Sequence, residues 1–387
     1  MKKIITSIGV SVALLLSLSA CTVSGTNDAA AGGTDKAVAA TVDKALAALD
    51  GKVLSLGPNG ETPSGFDSTT LTDAEIAKVK AGNFTAAIVM HYSGNDWATA
   101  QIAGLKAEFA RLGIKVVAVT DAEFKPEKQV SDIETVMALK PDIIISIPTD
   151  PVATSAAFKK ASAAGIKLVF MDNVPANMVG GKDYVAVVSA DNKGNGEASA
   201  LLMAKALNGK GKIGLIFHDA DFFVTKQRYE GFKEAIAQFP DIKIVEEKGI
   251  GGPDFAGDAQ AAATAMLTKH ADLDGIWGVW DVPAEGIMAA AREAGRLDLK
   301  IATQDLGTNV AIQLAKNELI IGLGAQRPSD QGVAEARLAA AAVIGKTGLP
   351  NFVALGALPV SHENVLEAWK TVYGVDAPKS VTSVYKK

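Results

Sequence analysis

Residues 86–113 read AAIVMHYSGNDWATAQIAGLKAEFARLG, and the two parts of this stretch follow different periods. Ala86 to Met90 is an unbroken apolar run of strand length, whereas Ile102, Leu105, Phe109 and Leu112 fall on one helical face before Gly113 stops the helix. The strand-then-helix unit returns at Lys115–Thr120 with a helix around Val130, Ile133 and Met137, at Asp142–Ile147 with a helix over 152–164, and at Lys167–Met171. It returns again at Lys212–Phe217, Lys243–Glu247, Gly275–Val279 and Lys300–Thr303, with helices near 226–239, 258–269 and 283–295. Continuous apolar strands joined by amphipathic helices specify parallel sheets covered on both faces, because parallel strands need crossover helices. The pattern predicts an α/β protein built from two similar doubly wound parallel-sheet lobes.

The N-terminal side of this body reads differently. MKKIITSIGVSVALLLSLSAC has a basic start at Lys2 and Lys3, an apolar run from Ile4 to Leu18, and small residues before Cys21, the one cysteine of the chain. The run is shorter than the ~20 residues that span a bilayer, and the small residues suit a signal peptidase. It resembles a bacterial lipoprotein signal, 1–20, with Cys21 as the lipidated residue of an exported, membrane-anchored protein. Residues 22–33 (TVSGTNDAAAGG) read as a spacer, Thr34–Leu49 as a short extension helix with Val38, Val42, Leu46 and Leu49 on one face, and 57–70 as a loop. The compact body is expected to begin near Asn83, leaving 21–83 as tether and extension. Without Lys2 and Lys3 the 38 basic residues become 36 against 43 acidic, a net charge of −7 that argues against nucleic acid as a partner. With Cys21 committed to the anchor, no cysteine remains for a disulfide, a thiolate metal site or a nucleophile.

In doubly wound sheets ligands bind beyond the carboxyl ends of the strands. The residues there are polar and aromatic: His91 and Asn95-Asp96-Trp97 after the first strand, Asp172-Asn173 after LVFM, Trp280-Asp281 after GIWGV, and Gln304-Asp305 after KIAT. One such aspartate is readily a helix cap. Asp172, Asp281 and Asp305 together, beside Trp97, Phe255 and Trp280, point to carbohydrate, since carboxylates and amides pair with hydroxyls while aromatic faces pack on the C–H side of a sugar or polyol.

In their order along the chain these residues resemble the type I periplasmic sugar-binding proteins of the ribose and galactose group, over roughly 84–360. Asn95-Asp96-Trp97 resembles the Asn-Pro-Phe element of that family, Ile147-Pro-Thr-Asp-Pro151 its Asn-Pro-Thr-Asp element, and Ser189-Ala190-Asp191-Asn192 its first crossover between lobes. The resemblance implies ligand contacts from Asn95, Trp97, Asp172, Asn173, Phe255, Trp280, Asp281, Asp305 and Gln326, and from Lys226 in place of an arginine before Glu230-Gly231-Phe232. His91 is a further candidate. It also implies one lobe from 84–191 with 327–352, another from 192–326 with 353–387, and a three-segment hinge. Trp280 standing where the family has asparagine favours a pentose or a C4–C5 polyol over a hexose.

The resemblance further implies a monomeric solute-binding lipoprotein that hands its ligand to an ABC permease. A sensory variant serving a chemoreceptor or sensor kinase shares every feature. An enzyme has little support: Gly209-Lys-Gly211-Lys-Ile-Gly214 matches GxGxxG but precedes a strand instead of following one, no GxSxG is present, and His91, His218, His270 and His362 are scattered, so neither cofactor nor metal is expected.

Overall fold

The computed structural model of the chain describes residues 28–386. Cys21 and the signal lie outside the described residues. In chain order the strands are β1 (Thr85–Met90), β2 (Lys115–Asp121), β3 (Ile143–Ser146), β4 (Lys167–Met171), β5 (Ala186–Ala190), β6 (Lys210–His218), β7 (Asp241–Ile250), β8 (Gly275–Gly278), β9 (Lys300–Gln304), β10 (Ile320–Ala325), β11 (Phe352–Leu355) and β12 (Leu358–Val360). They form two six-stranded sheets, ordered β11-β5-β4-β3-β1-β2 and β12-β10-β9-β8-β6-β7. Every pairing is parallel except β10 with β12. The two orders superpose strand for strand, so β1, β2 and β4 correspond to β6, β7 and β9. This is the two-lobed parallel architecture expected from the sequence.

The central strands are apolar on both faces because helices cover both. Ala86 to Met90 of β1 and Leu168 to Met171 of β4 are buried throughout. In the second lobe Trp277 is fully buried, its ring 5.0 Å from that of Phe232. No helix among the described residues is long and apolar enough to cross a membrane.

The chain passes between lobes after β5, after β10, and between β11 and β12. The last passage corrects the expected boundary at 352/353. Phe352 to Leu355 pair with Val187 to Ala190 and belong to the first sheet, so the crossing falls after Leu355. Glycine shapes the first passage. The helix Asn192–Ala206 crosses the helix Phe223–Ile236 so closely that a Cβ on Gly196 would stand 2.2 Å from the Arg228 carbonyl oxygen, and one on Gly231 2.2 Å from that of Lys193.

The start of the compact body is also corrected. The helix Asp28–Ala47 begins six residues before the expected Thr34, and its apolar stripe is not left uncovered: Val42 and Leu49 are buried in the second-lobe core with Leu201 and Phe232. The chain then crosses the hinge. Leu54 and Ser55 donate backbone N–H groups, and Ser55 its hydroxyl, to the Asp191 carboxylate at 2.9 Å each, and Gln227 Nε2 donates to the Leu56 carbonyl. Beyond it the helix Asp73–Ala81, opened by a Thr72/Glu75 capping box, buries Val79 in the first lobe.

Candidate functional site

One cavity lies between the lobes, at the carboxyl ends of both sets of strands. Its wall pairs equivalent positions. His91 follows β1 and His218 ends β6; Phe124 follows β2 and Phe255 follows β7; Asp172 follows β4 and Asp305 follows β9. The two aspartates share a backbone device as well. Each turns into the left-handed region, at φ 54° and 64°, and each donates its N–H to the next strand, Asp172 to Val188 and Asp305 to Gly324. Aspartate tolerates this conformation better than most residues, and the turn directs the carboxylate off the sheet edge into the cavity.

Their surroundings differ. Asp305 is held by Arg228, whose Nη1 donates to Oδ2 at 2.9 Å and Nη2 to Oδ1 at 3.3 Å, and by Gln326 Nε2 at 3.1 Å. Asp172 accepts one side-chain hydrogen bond, from Ser189 Oγ at 2.6 Å, and burial raises its carboxyl to about 6. Between them runs an unbroken relay. Asn192 donates from Nδ2 to Ser189 Oγ and accepts from Arg228 Nε at its Oδ1, so hydrogen bonds link Asp172 to Asp305 through the first crossover. The lobes also touch directly, the backbone N–H of Thr308 donating to Asp96 Oδ2 at 2.6 Å.

Of the residues expected at the site, His91, Asn95, Trp97, Asp172, Phe255, Trp280, Asp305 and Gln326 line the cavity. Three do not. Lys226 is exposed, because it stands two residues, or roughly 200° of helix, from the buried face. Arg228 occupies the cationic position instead, on the stripe Val224, Arg228, Phe232 and Ala235, all buried. Asn173 is buried behind Asp172, its Nδ2 3.5 Å from the Pro148 carbonyl. Asp281 turns into the first turn of its own helix, accepting from Val282 N, where only glycine at 307 leaves it room. Burial, then the charges of Asp305 and Glu285, push its carboxyl well up.

The sequence reading left out Phe124, Phe222 and Arg228. Asn95 Oδ1 is engaged in capping its helix through Ala98 N, while Trp97 Nε1, His91 Nδ1 and Gln326 Oε1 are buried without a partner. Burial lowers His91 to about 3 and His218 to about 4, so both rings are neutral at pH 7. A wall of aromatic faces with a few converging hydrogen-bonding groups can hold a small neutral polyhydroxylated molecule by reversible contacts. The GxGxxG glycines sit at the beginning of β6, away from any position where a dinucleotide loop could open a helix.

Comparison with known proteins agrees with this geometry. The ribose import binding protein of Bacillus subtilis is 26% identical over 248 residues, 63% of this chain and 77% of its own. A solved ABC transporter solute-binding protein from Agrobacterium vitis, bound with α-D-tagatopyranose, aligns with a TM-score of 0.69 at 25% identity, over 75% of this chain and 99% of its own. Another from the same organism, with bound allitol, aligns with a TM-score of 0.65 at 26% identity, over 74% and 98%. The model of the periplasmic binding protein domain matches residues 86–347, and with the two-sheet topology this makes the chain a member of the type I periplasmic sugar-binding family.

Proposed function

We propose that this chain is the extracytoplasmic solute-binding component of a carbohydrate ABC importer, holding one monosaccharide or small polyol between its lobes without turnover. The observation that carries the reading is the pair Asp172 and Asp305, presented from equivalent strand ends into one interlobe cavity lined by aromatic rings. Asp172, Gln326 and Asn95 would hydrogen-bond hydroxyls, Arg228 and Asp305 would do so as a unit, and Trp97, Phe255 and Trp280 would pack on the carbon skeleton. Relatives named for ribose, and neighbours holding tagatose or allitol, support a ligand of that class. The bulk of Trp280 supports a pentose or C4–C5 polyol.

The first lobe, 57–191 with 327–355, and the second, 192–326 with the C-terminal segment, would open and close about the crossings. Cys21 would be lipidated and tether the monomer to the outer face of a membrane beside its permease. A thermal-shift screen of the mature chain against pentoses, hexoses and C4–C6 polyols tests the ligand class. A ligand at a hundred times its Kd should stabilise the native state by about 2.7 kcal/mol, and mass spectrometry should recover it unchanged. Membrane-bound, fully processed protein in Cys21→Ser would overturn the anchor.

A further inference from the structure

Asp191 ends the first lobe and opens the first crossing, and its carboxylate is buried. Gly194 N, in the helix that Asp191 caps, donates to Oδ1 at 3.0 Å. Its other donors, Leu54 N, Ser55 N and Ser55 Oγ, all come from the segment ahead of the first lobe. A carboxylate buried this deeply depends on its donors, so the crossing is completed by residues far from it in the chain. The same segment is fixed to both lobes. Ser55 Oγ also accepts from Lys193 N at 3.0 Å and the Leu56 carbonyl from Gln227 Nε2 at 3.0 Å, both on second-lobe helices. A few residues on, Asn59 Nδ2 donates to Tyr184 Oη at 3.2 Å, while Ser64 donates to the Phe352 carbonyl at 3.0 Å and accepts from Ala354 N at 3.1 Å, all in the first lobe. The segment also touches the third crossing, where a Cβ on Gly356 would stand 3.2 Å from the Lys52 carbonyl oxygen.

We propose that residues 50–64 form a strap across the hinge, a connection between the lobes beside the three crossings, which favours their closed arrangement and has Ser55 as its positioning residue. This rests on the lobes opening and closing, and not on which ligand they hold. Turning the second lobe away from the first moves Lys193 and Gln227 relative to Tyr184 and Phe352, and a strap bonded on both sides must give up one set of bonds. All of these bonds are present together with the contact of Thr308 N on Asp96 across the cleft, so they add to the closed side of the balance. Apparent affinity falls with the fraction of molecules that are not in the binding-competent form, so a strap that holds the lobes closed tightens binding without touching the ligand. None of residues 50–64 lines the cavity. Asn192, beside Asp191, carries the hydrogen-bond relay between the two site aspartates, so the strap also seats the residue next to that relay.

The test is small-angle X-ray scattering of the ligand-free mature chain, with calorimetric titration of ribose, arabinose, allose and ribitol, on the unmutated protein and two variants. Ser55→Ala removes the hydroxyl that bridges Asp191 and Lys193. A Gly-Ser-Gly-Ser insertion after Gly60, which is exposed with open space around it, slackens the strap while leaving Ser55 and Ser64 in place, and so keeps the test valid if the buried Ser55 does not tolerate replacement. Both variants should enlarge the ligand-free radius of gyration and weaken the tightest of the four compounds severalfold, as expected for losing one or two net hydrogen bonds from the closed form. An unchanged radius of gyration in both variants would overturn the strap whatever happens to the melting temperature, and so would a Kd that stays put while the radius grows. If none of the four compounds binds, that counts against the carbohydrate reading, and the scattering alone decides the strap: a larger radius in both variants sustains it and an unchanged one overturns it.

Discussion

Asp172 and Asp305 occupy the same place in two copies of one topology, with the same left-handed turn and the same backbone bond to the neighbouring strand. Their chemistry has nonetheless diverged. Asp305 is neutralised in place by Arg228 and accepts a further hydrogen bond from Gln326, so its charge belongs to the architecture of the second lobe as much as to the site. Asp172 has only the Ser189 hydroxyl among side chains and no cation in contact, and the charge of Arg228, felt from a distance, offsets only part of its burial. On the proposed function, equivalent positions would divide the work: one aspartate is held by its own lobe, and the other would take a donor from the ligand.

The largest effect that separates them should come from Asp305→Ala. It strands a guanidinium that is 2% exposed, and breaking a buried ion pair from one side costs about 3–5 kcal/mol. Chemical denaturation should show that loss before any ligand is added, in contrast to a carboxylate that served only the ligand. Unchanged stability would mean that Arg228 finds other partners and that the asymmetry is superficial.

Asp172→Asn should move stability the other way. A carboxyl at about 6 in the folded protein and 3.8 unfolded binds its proton more tightly when folded. Stability therefore falls as pH rises from about 4 to about 6 and stays lower above. The gap corresponds to about 3 kcal/mol at pH 7, which the neutral amide would recover in part. Melting of the ligand-free variant at pH 7 and pH 4 checks this: a gain at the higher pH and little at the lower. The same variant should bind ligand about tenfold more weakly, because an acceptor pair becomes half donor.

Trp280→Asn probes the size limit proposed for the second lobe. It should weaken the native ligand severalfold and narrow the preference against hexoses, read as a ratio of Kd values. The smallest effect belongs to the link between the halves. Ser189→Ala removes the one side-chain donor to Asp172, costs about 1 kcal/mol, and should raise further the pH below which ligand affinity falls. An unaltered pH profile would show that Ser189 does not hold the carboxylate in solution.

Much of this is legible in the sequence. The apolar runs at 86–90 and 168–171 fix strand ends, and strand ends in a doubly wound sheet fix where the residues that follow them must point. Lys226 and Asn173 miss the cavity by a displacement of one or two residues. Lys226 and Arg228 are both cations on one helix, but 200° apart, and the buried stripe through Val224 and Phe232 is the signal that selects Arg228. Asn173 follows a left-handed residue and so leaves the cavity, which a strand-based alternation does not foresee. Phe124 was invisible for a related reason. It stands in a turn where Glu123 and Phe124 both have positive φ, and no local pattern predicts a phenylalanine there. The N-terminal stripe of Val42 and Leu49 was readable as a helix face. Its burial against the second lobe depends on a contact far along the chain, as does the seat of Ser55 on Asp191.

The central claim is that one carbohydrate is gripped between the two aspartates, and titration calorimetry of the mature chain with pentoses, hexoses and C4–C6 polyols, repeated on Asp172→Asn, tests it most directly. The account predicts one-to-one binding of at least one compound, weakened about tenfold or more in the variant, with affinity in the unmutated protein falling as pH drops below about 6. Binding that is unchanged in Asp172→Asn and flat from pH 7 to pH 5 would contradict it.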